Sequence, residues 1–193
     1  MISAQQEKAA LRHIARQNRR AAYAAKGDIS TQLQQHFPYE GMPERGVAVG
    51  YWPAGSEASG VDALGVLYEQ GWSVYLPHRL EDDGNMDFAA WASGQEMQPG
   101  RLGISIPAGV PAIDLESVDL VVIPLLAFDE TGARLGQGGG YFDRALEKWM
   151  SAKPVSVIGL AYEEQQLPAI PVEAHDQRLD YVVTDKRLWR FAK

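Results

Sequence analysis

Four glycines within five positions, in the run Gly136-Gln137-Gly138-Gly139-Gly140, carry the clearest chemical possibilities in this chain. Without side chains, successive backbone N–H groups can close around phosphate oxygens. The residues from Tyr141 onward read as a helix, whose first turn favours an anion through its unpaired amides and its dipole. Asp143 falls in that first turn, near enough to hold a metal ion that bridges phosphates. The segment is not a Walker A loop, because no Gly-Lys-Ser/Thr closes it. The dinucleotide fingerprint fails at Tyr141, where a third glycine is required. On their own, these residues also fit a tight strand-to-helix connection with no ligand at all. The chain has no cysteine, so disulfides, thiolate nucleophiles and cysteine-ligated zinc are excluded. His175 has no ligand cluster around it, and the other histidines are scattered.

Such a loop must be positioned by regular elements. The first is a basic helix: residues 1–26 carry Lys8, Arg12, Arg16, Arg19, Arg20 and Lys26 against Glu7 alone, in a chain of net charge −7. Ser3 and Gln6 form an S-x-x-Q capping box and Gly27 stands where a C′ glycine belongs, which favours a folded helix over an arginine-rich transit peptide. A second helix is predicted from Ser30 to Phe37, halted by Pro38. Strand signals recur at Val47–Trp52, Trp72–Leu76, Leu120–Leu125, Val155–Ala161 and Tyr181–Thr184. Val61, Leu64, Leu67 and Tyr68 recur at helical spacing, with Ser59 as a possible cap and Gly71 as the stop. A further helix over Tyr141–Met150 places Phe142, Leu146 and Trp149 on one face. Continuous apolar strands belong in a mainly parallel sheet covered on both faces. The Gly/Pro-rich stretch Glu81–Pro111 reads as a long irregular excursion, where binding loops tend to lie. The expectation is one three-layer α/β/α domain over residues 1–193, preceded by the basic N-terminal helix. Its 193 residues are enough to bury a core without staples. No apolar run approaches the roughly 18 residues of a membrane helix, and the net negative charge argues against a nucleic-acid surface.

The string from Pro124 to Asp143 also carries a family resemblance. Pro124, Ala127, Phe128, Asp129, Gly132, Arg134, Leu135, Gly136, Gly138, Gly140, Tyr141 and Asp143 stand in register with P-x-x-A-F-D-x-x-G-x-R-L-G-x-G-x-G-Y-Y-D, a motif of the 5-formyltetrahydrofolate cyclo-ligases. Phe142 replaces the second tyrosine. Lys8-x-x-Leu11-Arg12 resembles the family's N-terminal K-x-x-L-R, whose basic residues bind ATP phosphates. Positions four apart share a helix face, so Lys8 and Arg12 can address one triphosphate; an isolated pair of this kind is otherwise a solvated face. Arg16, Arg19 and Arg20 lack such support and are expected to remain solvated. Tyr51-Trp52-Pro53 through Glu57 resembles the Y-x-P-x-x-x-E segment, which implies folate contacts from Trp52 and Glu57. The competing role for Glu57 is a helix-start carboxylate. His175-Asp176-x-x-Leu179-Asp180-x-x-Val183-Thr184 is similar to H-D-x-x-L-D-x-x-V-T-E.

The resemblance implies ATP- and Mg2+-dependent conversion of 5-formyltetrahydrofolate to 5,10-methenyltetrahydrofolate, with ADP and phosphate released. Lys8, Arg134 and Asp143 would be catalytic. ATP contacts would come from Lys8, Arg12, Arg134, Leu135, Gly136, Gln137, Gly138, Gly139, Gly140, Tyr141 and Phe142. Folate would meet Trp52, Glu57 and the run Gln137–Tyr141, with the metal on Asp143 and Asp176. A cytoplasmic monomer with small-molecule partners, and neither nucleic acid nor membrane, is implied. The middle segment departs from the pattern: Leu102-Gly103-Ile104-Ser105-Ile106-Pro107 lacks the aromatic and the acid of the aromatic-Gly-Ile-x-Glu-Pro run in bacterial relatives. Phe88 and Trp91 are the alternative stacking surfaces, although core packing is the commoner fate of such residues. A sugar-phosphate isomerase or acyl-CoA transferase-like enzyme would use the glycine loop without ATP, and a regulatory nucleotide module would not need Tyr51–Glu57.

Overall fold

The computed structural model describes residues 4–80, 85–100, 104–108, 118–173 and 176–192. Helix α1 spans Ala4–Lys26. The proposed cap Ser3 lies outside the described residues, but the stop at Gly27 is present, with φ +70° and its N–H donating to Tyr23 O at 2.8 Å. Helix α2 (Ser30–His36) follows, and β1 (Val47–Val49) enters the sheet. Helix α3 (Val61–Glu69) is capped at Gly60 rather than Ser59, whose hydroxyl accepts only a long 3.4 Å bond from Val61 N–H. Gly71, at φ +92°, ends it as expected.

Seven strands form the main sheet. Its centre is parallel: β2 (Ser73–Leu80), β1, β6 (Leu120–Pro124), β9 (Ser156–Ala161) and β10 (Tyr181–Thr184) lie side by side in that order. Antiparallel strands close both edges, β3 (Met86–Trp91) beside β2 and β11 (Leu188–Arg190) beside β10. Alternation along β6 shows why this order is stable. Leu120 and Val122 pack with α2 and α3 on one face, through Leu33, Phe37, Leu64 and Leu67. Val121 and Ile123 pack with Leu146 and Trp149 of α4 (Tyr141–Ala152) on the other. Both faces are covered, so every residue of the strand except Pro124 is buried.

The expectation of an irregular excursion from Glu81 to Pro111 is corrected. Met86–Trp91 pairs with β2 as the edge strand, and β4 (Met97–Pro99) and β5 (Ser105–Pro107) form a ribbon against β2. Residues 81–84, 101–103 and 109–111 of that stretch lie outside the described residues. A smaller cluster lies beneath the amino-terminal half of α1, where Ala15 meets Leu126, Ala127, Ala133, Leu135 and Ile170.

The chain order places a crevice. From β1 the chain runs through α3 on one face to β2; it then returns to the other side of β1 as β6 and continues to β9 through α4 on the opposite face. Strand order therefore reverses between β1 and β6, and open α/β sheets bind ligands outside the carboxyl ends at such a point. Among the described residues, no helix is long and apolar enough to cross a membrane.

Candidate active site

A cavity of about 660 Å³ opens at those carboxyl ends. Ile123 and Pro124 at the end of β6 form part of its floor. Beyond them a short hairpin of β7 (Ala127–Phe128) and β8 (Arg134–Leu135) brings the chain back to the cavity. Asp129, a buried carboxylate, closes its turn by accepting from Thr131 and Ala133 N–H, and its second oxygen accepts from Ile170 N–H at 2.9 Å. Gly132, at φ +77°, approaches Leu179 O so closely that an added Cβ would lie 3.0 Å from it. The Phe-Asp-x-x-Gly part of the motif is therefore architectural: it fixes the hairpin that delivers Arg134 and the glycine loop.

Arg134 is a buried cation with a side chain only 7 % exposed, and it donates to Asp143 and to Gln177 O. After it come the loop glycines. Gly140, at φ +68°, caps α4 in the left-handed region, which places Asp143 in the first helical turn. Among the described residues, none accepts a hydrogen bond from the N–H groups of Gly138, Gly139 or Gly140. Donors left open beside a cavity suit an anion.

Helix α1 faces this loop with cations at helical spacing: Lys8, Arg12, Arg16 and Arg19 fall along one side. Arg12 Nε donates to Gly136 O at 3.1 Å. Arg16 donates to the Gln137 carbonyl at 3.2 Å and to its side-chain oxygen at 3.3 Å. Arg19, 7 % exposed, donates to Ser56 Oγ at 3.2 Å and to Glu57 Oε1 at 3.4 Å. The expectation that Arg19 is solvated is thus corrected; Arg16 stays partly exposed while bonding the loop, and Arg20 is exposed. No local signal distinguishes these arginines, because their partners lie more than 30 positions away.

The other end of the cavity is formed where β1 runs out. Gly50 N–H still pairs with Tyr75 O at 2.9 Å, and the chain then passes through Tyr51 and half-buried Trp52. Glu57 is not a helix-start carboxylate, since α3 begins at Val61. Instead Arg19 holds one oxygen and Ala54 N–H donates to the other at 3.0 Å. Pro77, Met86 and Ile104 complete this wall. Neither Phe88 nor Trp91 reaches it: Phe88 packs on Trp149 with ring centres 5.2 Å apart, and Trp91 meets Tyr68 edge-on. Leu102 and Gly103 lie outside the described residues.

The residues implied for catalysis, ATP, folate and metal line this one cavity: Lys8, Arg12, Trp52, Glu57, Arg134 with the run Leu135–Asp143, and Asp176. Tyr51, which opens the Y-x-P-x-x-x-E segment, lines it too, as do Glu173, Gln177, Pro77 and Met86, which no sequence signal singles out. Lys8, with a side chain 7 % exposed, lies 2.9 Å from Glu173 and 2.5 Å from Asp176. Burial alone would lower the Lys8 pKa, but bonding and charge from Asp176 and Glu173 outweigh it and hold the ammonium above its usual range. Burial pulls the Arg134 guanidinium down from its ordinary value, with Asp143 and then Asp176 offsetting part of the loss. His175 lies outside the described residues.

Both carboxylates suggested for a metal therefore bear on one guanidinium, although they are far apart in sequence. Hard carboxylate oxygens suit Mg2+, which needs only one or two protein carboxylates when phosphates and water supply the rest. Among the described residues, no group of three or more potential metal ligands exists. Lys8, Arg12 and Arg134 stand against Asp143, Glu173 and Asp176, which leaves the site nearly neutral and a bound polyphosphate short of positive charge. The residues present fit a cation that arrives with its phosphates.

These features define a doubly covered α/β protein with its cavity at the carboxyl ends of a mainly parallel sheet. Comparison with known proteins narrows the class. Residues 4–185 match the sequence model of the 5-formyltetrahydrofolate cyclo-ligase family. The 5-formyltetrahydrofolate cyclo-ligase of Mycolicibacterium smegmatis is 31 % identical over 189 residues, covering 93 % of this chain and 94 % of the relative. That of Escherichia coli K12 is 36 % identical over 129 residues, 65 % of this chain and 70 % of the relative. The solved structure of Aquifex aeolicus 5,10-methenyltetrahydrofolate synthetase has the same fold, with a TM-score of 0.75 at 24 % identity over 96 % of this chain and 93 % of that one. The chain belongs to the 5-formyltetrahydrofolate cyclo-ligase family and is a ligase.

Proposed function

We propose that this protein converts 5-formyltetrahydrofolate to 5,10-methenyltetrahydrofolate with ATP and Mg2+, releasing ADP and phosphate. The observation that carries the reading is the single cavity with two unlike ends. One end holds the open glycine amides and the cations Lys8, Arg12 and Arg134, and the other holds Trp52 and Glu57. Such a site can bring a polyphosphate and a flat polar heterocycle together.

The chemistry explains why no side-chain nucleophile is needed. The N5 formyl group is an amide, so its carbon is a poor electrophile and its oxygen a poor leaving group. When the N5 lone pair drives that oxygen onto the γ-phosphorus, ADP departs and a phosphorylated iminium-like carbon results. N10 attacks this carbon and loses its proton; the C–O bond then breaks with its electron pair on phosphate, leaving the methenyl bridge. Phosphoryl transfer of this kind needs in-line positioning and charge neutralisation. Lys8, Arg12, Arg134 and the loop amides bind and orient the phosphates in this scheme. Mg2+ held by Asp143 and Asp176 would neutralise phosphate charge. Glu57, fixed by Arg19 and Ala54 N–H, presents acceptor lone pairs to N–H donors of the pterin, with Trp52 beside it.

The direct test mixes protein, MgATP and 5-formyltetrahydrofolate and follows the methenyl chromophore together with ADP. Stoichiometric formation of both is expected. Methenyl product formed without ATP, or ADP formed without methenyl product, would overturn the assignment.

A further inference from the structure

We propose that the Glu173 carboxylate is the resident occupant of the phosphate end of the cavity, and that it sets ATP affinity by competing with the nucleotide for Lys8. The inference rests on the ATP reading above and adds a residue to it.

Lys8 cannot turn to water, because its side chain is 7 % exposed, and its ammonium is shared between Glu173 Oε2 at 2.9 Å and Asp176. The two carboxylates are not equivalent. Asp176 Oδ2 also accepts Glu173 N–H at 2.7 Å, and Asp176 N–H donates back to Glu173 O at 3.0 Å. Asp176 is thereby tied to the backbone of Glu173. Among the described residues, the Glu173 carboxylate has Lys8 as its one partner, and its side chain is 36 % exposed. It can swing out to solvent without breaking another bond.

An ammonium offers three donors and no directional fork, so a carboxylate oxygen and a phosphate oxygen are interchangeable partners for it. With Glu173 in place, Lys8 meets an incoming polyphosphate already neutralised, and the phosphate also meets an uncompensated negative charge. Withdrawal of Glu173 frees one Lys8 donor beside the glycine loop, while Asp176 keeps the ammonium in position. Return of Glu173 after transfer would speed departure of the products.

The test is calorimetric titration of MgATP into the wild type, Glu173→Gln and Glu173→Ala without folate. Both variants should bind MgATP about two- to fivefold more tightly, the range expected when a partly exposed ion pair stops competing. Weaker binding, with a higher Mg2+ requirement, would identify Glu173 as a metal ligand and overturn the proposal. Unchanged affinity with a lower Tm would make Glu173 a turn residue only, and would equally overturn it. A wild type that binds no MgATP would bring down the ATP reading itself, whereas unchanged variants of a binding-competent wild type bring down this inference alone.

Discussion

Lys8 and Arg12 sit one helical turn apart yet have different surroundings, and their substitution should separate accordingly. Losing one charge-assisted contact costs about 1.5–3 kcal/mol, so Lys8→Ala and Arg12→Ala should each raise the KM for ATP at least about tenfold. Lys8→Ala also leaves Glu173 and Asp176 facing each other uncompensated, and its Tm should fall as well. Arg12→Ala removes only a bond to the Gly136 carbonyl and should leave Tm near that of the wild type. Wild-type ATP kinetics in both would reduce the cation stripe to a scaffold. Glu57→Gln keeps the shape of the folate wall but removes its charge, and should raise the KM for folate more than that for ATP. Equal losses for both substrates would point to collapse of the Tyr51–Gly60 loop, which Arg19 anchors. For the carboxylates on Arg134, magnesium titration of the initial rate decides. Asp143→Asn and Asp176→Asn should each lower turnover and raise the Mg2+ concentration required, with the double variant little worse than either single one. Superimposable Mg2+ curves for all four proteins would remove the metal from these residues.

Among the elements, the hairpin β7–β8 and the glycine loop form one delivery device. Gly140 caps α4 from the left-handed region, where an ordinary L-residue is disfavoured by about 1–2 kcal/mol. A Cβ there would also lie 3.0 Å from Arg144 Nη1. Gly140→Ala should lower Tm and raise the KM for ATP while changing the KM for folate less; a lower Tm with an unchanged KM for ATP would show that the loop recovers its shape around the methyl group. Much of this was legible in the sequence. The strands β6 and β9 are continuous apolar runs, which periodicity reads easily, and α1 and α3 stop at glycines of positive φ. The edge strand β3 was not legible: Met-Asp-Phe-Ala-Ala-Trp lacks clean alternation and is flanked by polar turn residues. The hairpin strands, two residues each, are too short to show any period. In the site, the cations were identified by register, but Arg16–Gln137, Arg19–Glu57 and Lys8–Glu173 are tertiary pairings. Nothing local in the chain marks them.

At the scale of the whole molecule, carboxylates tie strand ends together. Asp119 accepts from Val47 N–H at 2.8 Å and from Lys153, joining the starts of β1 and β6 to the end of α4. Asp185 binds Lys26 and Glu163 N–H, and Glu163 binds Thr184, Arg187 and Trp189. Burial would raise all three pKa values, but these hydrogen bonds and cations outweigh it and hold them below the usual carboxylate range. A depressed folded pKa adds stability above the unfolded pKa of about 4, and that stability is lost as pH falls through the lower folded value. Denaturant midpoints should therefore show no pH dependence from these groups between neutrality and about pH 5, where their contribution is fully present, then decline below about pH 4. Asp185→Asn should flatten that decline, and an equally steep acid limb in the variant would contradict the assignment.

The α1 cations have a temporal consequence as well. Lys8 meets Asp176 across 168 positions and Lys26 meets Asp185 across 159, so α1 must wait for carboxylates made much later in synthesis. At a synthesis rate of about 5–20 residues per second the interval is roughly ten to thirty seconds. Throughout it the helix has its cations but not these anions, and polyanions in the surrounding solution are free to occupy them. The cavity is thus completed only after Asp176 has been made, by an ion pair that also holds the mature protein together.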